Sequence, residues 1–132
     1  MSQVSLILVS HSKELVTGLK DLLLQMQPEA QIAISGGEAD GGIGTNAFDI
    51  KDAIESVYSE KGSVVFFDLG SARINSELAI EMVEDKNIVL VDAPLVEGAF
   101  TAAIEAGFGH DLETVVKAAE KARDSRKMPE DN

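Results

Sequence analysis

Cysteine and tryptophan are absent from the 132 residues, and aromatic residues make up only 5 %. Without cysteine there is no disulfide framework, no thiolate metal site and no thiol nucleophile, which fits a reducing compartment. With so few rings, the core has to be built from Val, Ile, Leu and Ala. The N-terminus, MSQVSLILVSHSKEL, lacks the basic start and long apolar stretch of a secretory signal. No apolar run is long enough to span a bilayer, so no membrane role and a cytoplasmic location are expected. There is no GxxxxGK[ST] loop, no GxGxxG after a strand and no HExxH spacing, so neither a nucleotide site nor a metal site is predicted in this chain. Basic residues are the minority, 11 against 23 acidic ones, for a net charge of −12. An acidic surface of this kind repels nucleic acid and anionic lipid and keeps the chain soluble.

What is present alternates regularly between strand and helix patterns. Val4–Val9 (VSLILV) is a β-branched and aliphatic run that stops at SHS. Leu15, Leu19, Leu22, Leu23 and Met26 then recur at helical spacing, predicting a helix from Ser12 to Gln27, ended by Pro28. Gln31–Ser35 is the second strand. Gly36–Asn46 (GGEADGGIGTN) carries five glycines and no period, and reads as a loop able to approach a ligand closely. A helix over Asp49–Ser59 should bury Ile50, Ala53, Ile54 and Val57. Ser63–Phe67 (SVVFF) is apolar on both faces, as a central parallel strand is. A third helix is expected over Ala72–Glu84, a fourth strand over Asn87–Val91, and helices over Leu95–Gly107 and Asp111–Arg123. The fourth helix, apolar over a wide face and rich in Ala, suits either deep burial or a subunit interface, with burial the default. The fold class is therefore α/β: one doubly wound domain over residues 1–123, with a parallel sheet of order 2-1-3-4 and helices on both faces. Residues 124–132 form a polar tail.

That strand order has a switch point between strands 1 and 3, where ligands bind beyond the carboxyl ends of the strands. The loops there are Ser10–Ser12 and Asp68–Ser71 (DLGS), so topology brings His11 and Asp68 together from distant parts of the sequence. Histidine is both a nucleophile and a phosphoryl acceptor. A carboxylate on one ring nitrogen fixes the tautomer and leaves the other with its lone pair. Helix starts at Ser12 and at Gly70 and Ser71, together with the loop residues Gly37, Gly44 and Thr45, could surround phosphate oxygens with N–H groups and hydroxyls. His110, between two helices, has no such setting and is expected to face solvent.

SHS, GGxxDGGIGT and FFDLGSA, in this order and spacing, resemble the phosphotransfer subunits of phosphoenolpyruvate-dependent dihydroxyacetone kinases, relatives of the mannose-type IIA domains of sugar phosphotransferase systems. The resemblance covers nearly the whole chain. It implies that His11 is the phosphorylated histidine, at its tele nitrogen, and that Asp68 supports it. It implies HPr as donor and, as acceptor, ADP bound in the kinase L subunit, with the K subunit served indirectly and the chain a homodimer. Because the chain stops at Asn132, a free-standing HPr is expected. After strand 3 the mannose-type relatives are richer in Trp, Gly and Pro. Here the segment is DLGSARINSE, which favours the dihydroxyacetone branch over a IIA component of a mannose-family permease. Two other classes compete. A receiver-like signalling domain would put phosphate on Asp68, but it needs an acidic pair after strand 1, where this chain has VSHS. A chelatase-like module would need more ligands than one histidine and one carboxylate.

Overall fold

The computed structural model describes residues 2–84 and 87–129. Met1 of the N-terminal segment and residues 130–132 of the expected tail lie outside the described residues. The elements are β1 (Ser5–Ser10), α1 (Lys13–Met26), β2 (Ile32–Gly36), α2 (Ala47–Ser56), β3 (Ser63–Phe67), a 3₁₀ turn (Gly70–Ala72) leading into α3 (Arg73–Met82), β4 (Ile88–Leu90), α4 (Leu95–Gly107) and α5 (Leu112–Asp124). The four strands pair in parallel in the order β2-β1-β3-β4, as expected. No helix among the described residues is long and apolar enough to cross a membrane.

The period-2 alternation of β1 divides the core in two. Leu6 and Leu8 join Val64 and Phe66 under α1, α4 and α5. Ile7 and Val9 join Val65 on the opposite face under α2 and α3. β1 is buried throughout, which is why its sequence reads as one apolar run. α4 packs closely on the sheet because its inward face is Gly98, Ala99, Ala102, Ala103 and Ala106, all buried. A Cβ on Gly98 would lie 3.0 Å from the Ala93 Cβ and 3.3 Å from the Phe66 ring. The Ala-rich face is thus occupied by the core itself.

Several boundaries and faces differ from expectation, each for a local reason. α2 starts at Ala47 rather than Asp49, because the Asn46 side chain accepts from the N–H groups of Phe48 (2.8 Å) and Asp49 (3.1 Å) and so caps it. The third helix begins as a 3₁₀ turn, and Val83, expected inside it, turns extended into the core. Within α3 the buried residues are Ser76 and Ala79, whereas Ile74 and Leu78 are exposed. In α1 the buried stripe is Val16, Leu19 and Leu23; Leu15, Leu22 and Met26 face solvent. In the tail, Lys127 Nζ lies 2.7 Å from Glu97 of α4.

Candidate functional site

Register positions the site. Val9 of β1 pairs with Phe67 of β3, so the residues that follow on the two strands, Ser10–His11 and Asp68, lie side by side at the end of the sheet. The Asp68 N–H donates to the Val9 carbonyl at 3.1 Å. α1 leaves β1 for one face of the sheet and α3 leaves β3 for the other, which opens the crevice between them. At the β2 side, Gly36 admits the start of α1: a Cβ there would lie 2.8 Å from the Ser12 carbonyl oxygen.

His11 and Asp68 meet as the topology required. The His11 Nδ1 lies 3.0 Å from Asp68 Oδ1 and 3.3 Å from Oδ2. Both side chains are largely covered, 20 % and 12 % exposed. Oδ2 accepts from the Ser10 hydroxyl at 2.8 Å and from the His11 backbone N–H at 3.0 Å, while Oδ1 accepts from the Leu69 N–H at 2.7 Å. Burial alone would push the Asp68 carboxyl up. The bonds from the His11 backbone, the Ser10 hydroxyl, the Leu69 backbone and the His11 ring outweigh it and hold the group below its ordinary value. Asp68 is therefore a carboxylate, which only accepts, so Nδ1 carries a proton, and in the neutral ring Nε2 holds the lone pair. Nε2 in turn lies 2.8 Å from the Ser71 hydroxyl, which donates to it in that neutral form.

The other expected phosphate-binding residues divide into two groups. Ser12 and Gly44 are committed to the scaffold. The Ser12 hydroxyl accepts from the Leu15 N–H at 3.3 Å and its own N–H donates to Ser10 Oγ at 3.0 Å, so it caps α1. The Gly44 N–H donates to the His11 carbonyl at 2.9 Å, so it pins the glycine loop beside the histidine instead of offering itself to an anion. Gly37 lies over the start of α1 at φ 79°. Gly70 and Ser71 are exposed, Ser71 against the ring, and Thr45 is half-buried at the end of the glycine loop. Two residues went unnoticed in the sequence. Ser10, fully buried, bridges Asp68 and the Ser12 N–H. Asn75 donates to Thr45 Oγ1 at 2.8 Å. In the sequence Ser10 reads as the first residue of the switch-point loop rather than the last of β1, and Asn75 as a surface helix position, so neither shows its partner.

Helix starts frame the site. α1 and α2 are capped by Ser12 and Asn46, but the 3₁₀ turn that carries Ser71 and the α3 it leads into have no side-chain cap. That uncapped start is the one against Nε2, and its N–H groups favour an anion there by about 0.3–1 kcal/mol. Around this end of the sheet, Leu15, Ile43, Phe48, Leu69 and Ile74 are exposed. A groove of about 880 Å³, lined mainly by α4 and α5, is elsewhere, and His11 does not line it. His11 thus lies at an end of the sheet rimmed by exposed apolar side chains. Among the described residues no group of three or more His, Cys, Asp or Glu could hold a metal ion.

The chain is similar to known proteins over most of its length. Positions 5–116 match the family described as PTS system fructose IIA component. The chain is similar to a phosphoryl donor subunit of a PEP-dependent dihydroxyacetone kinase from Listeria innocua, with 36 % identity across 86 % of this chain and 94 % of the relative. It is also similar to the phosphotransferase subunit of a PTS-dependent dihydroxyacetone kinase from Lactococcus lactis, with 37 % identity across 88 % and 93 %. A crystal structure of a protein of unknown function superposes with a TM-score of 0.79 at 42 % identity, covering 90 % of this chain and 94 % of that one.

Proposed function

The chain belongs to the PTS system fructose IIA component family, within the phosphoryl donor subunits of PEP-dependent dihydroxyacetone kinase, and from that premise we propose that His11 takes a phosphoryl group from HPr on Nε2 and passes it to ADP in the kinase L subunit. The ATP so formed phosphorylates dihydroxyacetone, and the K subunit is served indirectly. The observation that carries this reading is the His11 ring itself: Nδ1–H is held by Asp68, and Nε2 faces the Ser71 hydroxyl at an uncapped helix start.

The chemistry follows from that arrangement. The Nε2 lone pair attacks phosphorus in line with the bond that breaks. The new N–P bond forms as the P–N bond of the donor phosphohistidine breaks, and the donor imidazole leaves with the electron pair. Positive charge develops on the His11 ring, and the Asp68 carboxylate against Nδ1–H stabilises it without taking the proton. The Ser71 hydroxyl swings off Nε2 as phosphorus arrives and donates to a phosphoryl oxygen instead. In the second transfer a terminal oxygen of ADP attacks phosphorus and Nε2 recovers its lone pair. The exposed apolar rim suits a nucleophile that works against two protein partners in turn, because both transfers exclude water from the reacting phosphorus.

The test is incubation with Enzyme I, HPr and phosphoenolpyruvate, followed by mapping of the modified residue by mass spectrometry. An acid-labile, base-stable phosphate on His11 is expected; label on another residue overturns the reading. Mixing the phosphoprotein with L subunit and ADP should then yield ATP. Transfer to a sugar-permease IIB domain and none to ADP would place the chain in the mannose-type branch instead. The working unit is proposed to be a cytoplasmic homodimer, which light scattering tests against the 14.0 kDa chain mass.

A further inference from the structure

Resting on the phosphoryl-acceptor reading of His11, we infer that Asn75 is a positioning residue for phosphoryl transfer, acting through the Thr45 hydroxyl. The Asn75 side-chain nitrogen lies 2.8 Å from Thr45 Oγ1 and 3.4 Å from the Thr45 carbonyl oxygen. A carbonyl oxygen only accepts, so the Asn75 atom that faces both is the amide nitrogen and the amide orientation is fixed. The Thr45 hydroxyl therefore receives a hydrogen bond from Asn75. An NH₂ group cannot accept in return, so the hydroxyl's own proton points elsewhere.

Where it points is set by two neighbours. Gly44, the preceding residue, is tied by its N–H to the His11 carbonyl at 2.9 Å, which brings the end of the glycine loop against the histidine. Asn75 lies in the first turn of α3, four residues after Ser71 in the 3₁₀ turn that leads into it, and Ser71 touches His11 Nε2. Thr45 is thus clamped between the backbone of the nucleophile on one side and the helix that carries Ser71 on the other. Its hydroxyl is presented as a second donor, beside Ser71, for the oxygens of a phosphoryl group on Nε2. The Asn75–Thr45 link also spans the crevice between the loop after β2 and the helix after β3. The two walls of the site are in this way held at one separation.

The experiment compares initial rates of phosphoryl uptake from phospho-HPr, over a range of HPr concentrations, for Asn75→Asp, Asn75→Ala, Thr45→Val and the Asn75→Ala/Thr45→Val pair. Asn75→Asp is nearly isosteric but replaces the donor by an acceptor, so the Thr45 proton turns to Asp and away from the phosphoryl group. Asn75→Ala and Thr45→Val should each lower the maximal rate by about fivefold, the size of one neutral hydrogen bond, at unchanged half-saturating HPr. Asn75→Asp should lower it further. In the Thr45→Val background, Asn75→Ala should have no added effect. A wild-type rate in Asn75→Asp, or an undiminished effect of Asn75→Ala when Thr45 is already Val, overturns the inference. Where circular dichroism shows that Asn75→Ala has lost the fold, Asn75→Asp decides it alone. Wild-type protein that takes no label on His11 overturns the underlying functional reading rather than this one.

Discussion

The molecule has two histidines, and each has a carboxylate on Nδ1. At the carboxyl end of the sheet His11 lies 3.0 Å from Asp68; in the turn between α4 and α5, His110 lies 2.5 Å from Glu105. By that pairing alone they would be equivalent. They differ in what surrounds the pair. Asp68 is 12 % exposed and is fixed by three donors besides the ring, whereas Glu105 is 30 % exposed. Beyond His11 Nε2 is the hydroxyl of an uncapped helix start. His110 follows the C-terminal end of α4, where the helix dipole is negative. The helix start beside it, that of α5, is already capped by the Asp111 carboxylate, which accepts from the Thr114 N–H at 2.9 Å. A phosphoryl group at His110 would meet two carboxylates and a helix C-terminus. A histidine with an acid partner is thus only half of a phosphoryl acceptor. The other half is a place for the phosphoryl group to be negative.

The largest test of that contrast is deletion of each ring. His11→Gln should abolish phosphoryl uptake entirely, with the circular dichroism spectrum unchanged, while His110→Gln should take up phosphate at the wild-type rate. Labelling from phosphoenolpyruvate through Enzyme I and HPr reads both. Residual stoichiometric label in His11→Gln would break the comparison at its root.

Next in size is the carboxylate. Asp68→Asn should slow uptake by about 100-fold, in the range for a group that sets the state of a catalytic histidine, and Glu105→Gln should not slow it. Asp68 also carries a stability signature. Its carboxyl is held below the ordinary value of about 3.8, so its contribution to stability is complete above that value and is lost as pH falls through the lower, folded-state value. The gap in urea midpoint between wild type and Asp68→Asn should stay open from pH 7 to pH 5 and close below about pH 4. A gap that closes between pH 7 and pH 5 would show that Asp68 is not held as a carboxylate in the way described.

The two regions were not equally legible in the sequence. Strand order, the meeting of His11 with Asp68 and the isolation of His110 follow from alternation and topology, which are long-range consequences of short patterns. Which polar group does what does not follow from them. Ser12 and Gly44 have the residue types of an anion cradle, yet their hydrogen bonds go to the helix start and to the His11 carbonyl. A sequence names donors without saying which are already engaged. Ser10 is silent for the opposite reason: where an apolar run ends, a serine reads as the start of a loop until its partner at the end of β3 is known. The faces of α1 and α3 were hidden because both helices carry apolar residues over more than one side. Leu15 and Ile74 are exposed on helices whose inward stripes are Val16, Leu19 and Leu23, and Ser76 and Ala79.

Ser10 gives the third test. Its hydroxyl donates to Asp68 from a fully buried position at 2.8 Å, and a bond to a charged group contributes about 1.5–3 kcal/mol. In Ser10→Ala the Asp68 carboxyl loses one of the donors that offset its burial and rises toward its ordinary value. Uptake should fall by about tenfold, less than for Asp68→Asn, because the backbone N–H groups of His11 and Leu69 still hold the carboxylate. The acid limb of the stability curve should move to higher pH in the same variant. Movement of neither would reduce Ser10 to a space-filler.

The smallest effect belongs to the second histidine and sharpens the comparison from its far side. The His110 and Glu105 side chains are 47 % and 30 % exposed, so water and salt screen the pair, and it contributes no more than about 1 kcal/mol. Glu105→Gln and His110→Gln should each shift the thermal midpoint by a few degrees at most, and the double variant by no more than the larger single one. Raising the salt concentration should erase even that difference. The Asp68 gap should survive the same salt, because its donors are neutral backbone N–H groups and a buried hydroxyl, held by short-range geometry rather than by a screened charge pair. If both gaps vanished together, the distinction between a fixed carboxylate and a solvated one would fail, and with it the reason that only one of these two histidines can carry a phosphoryl group.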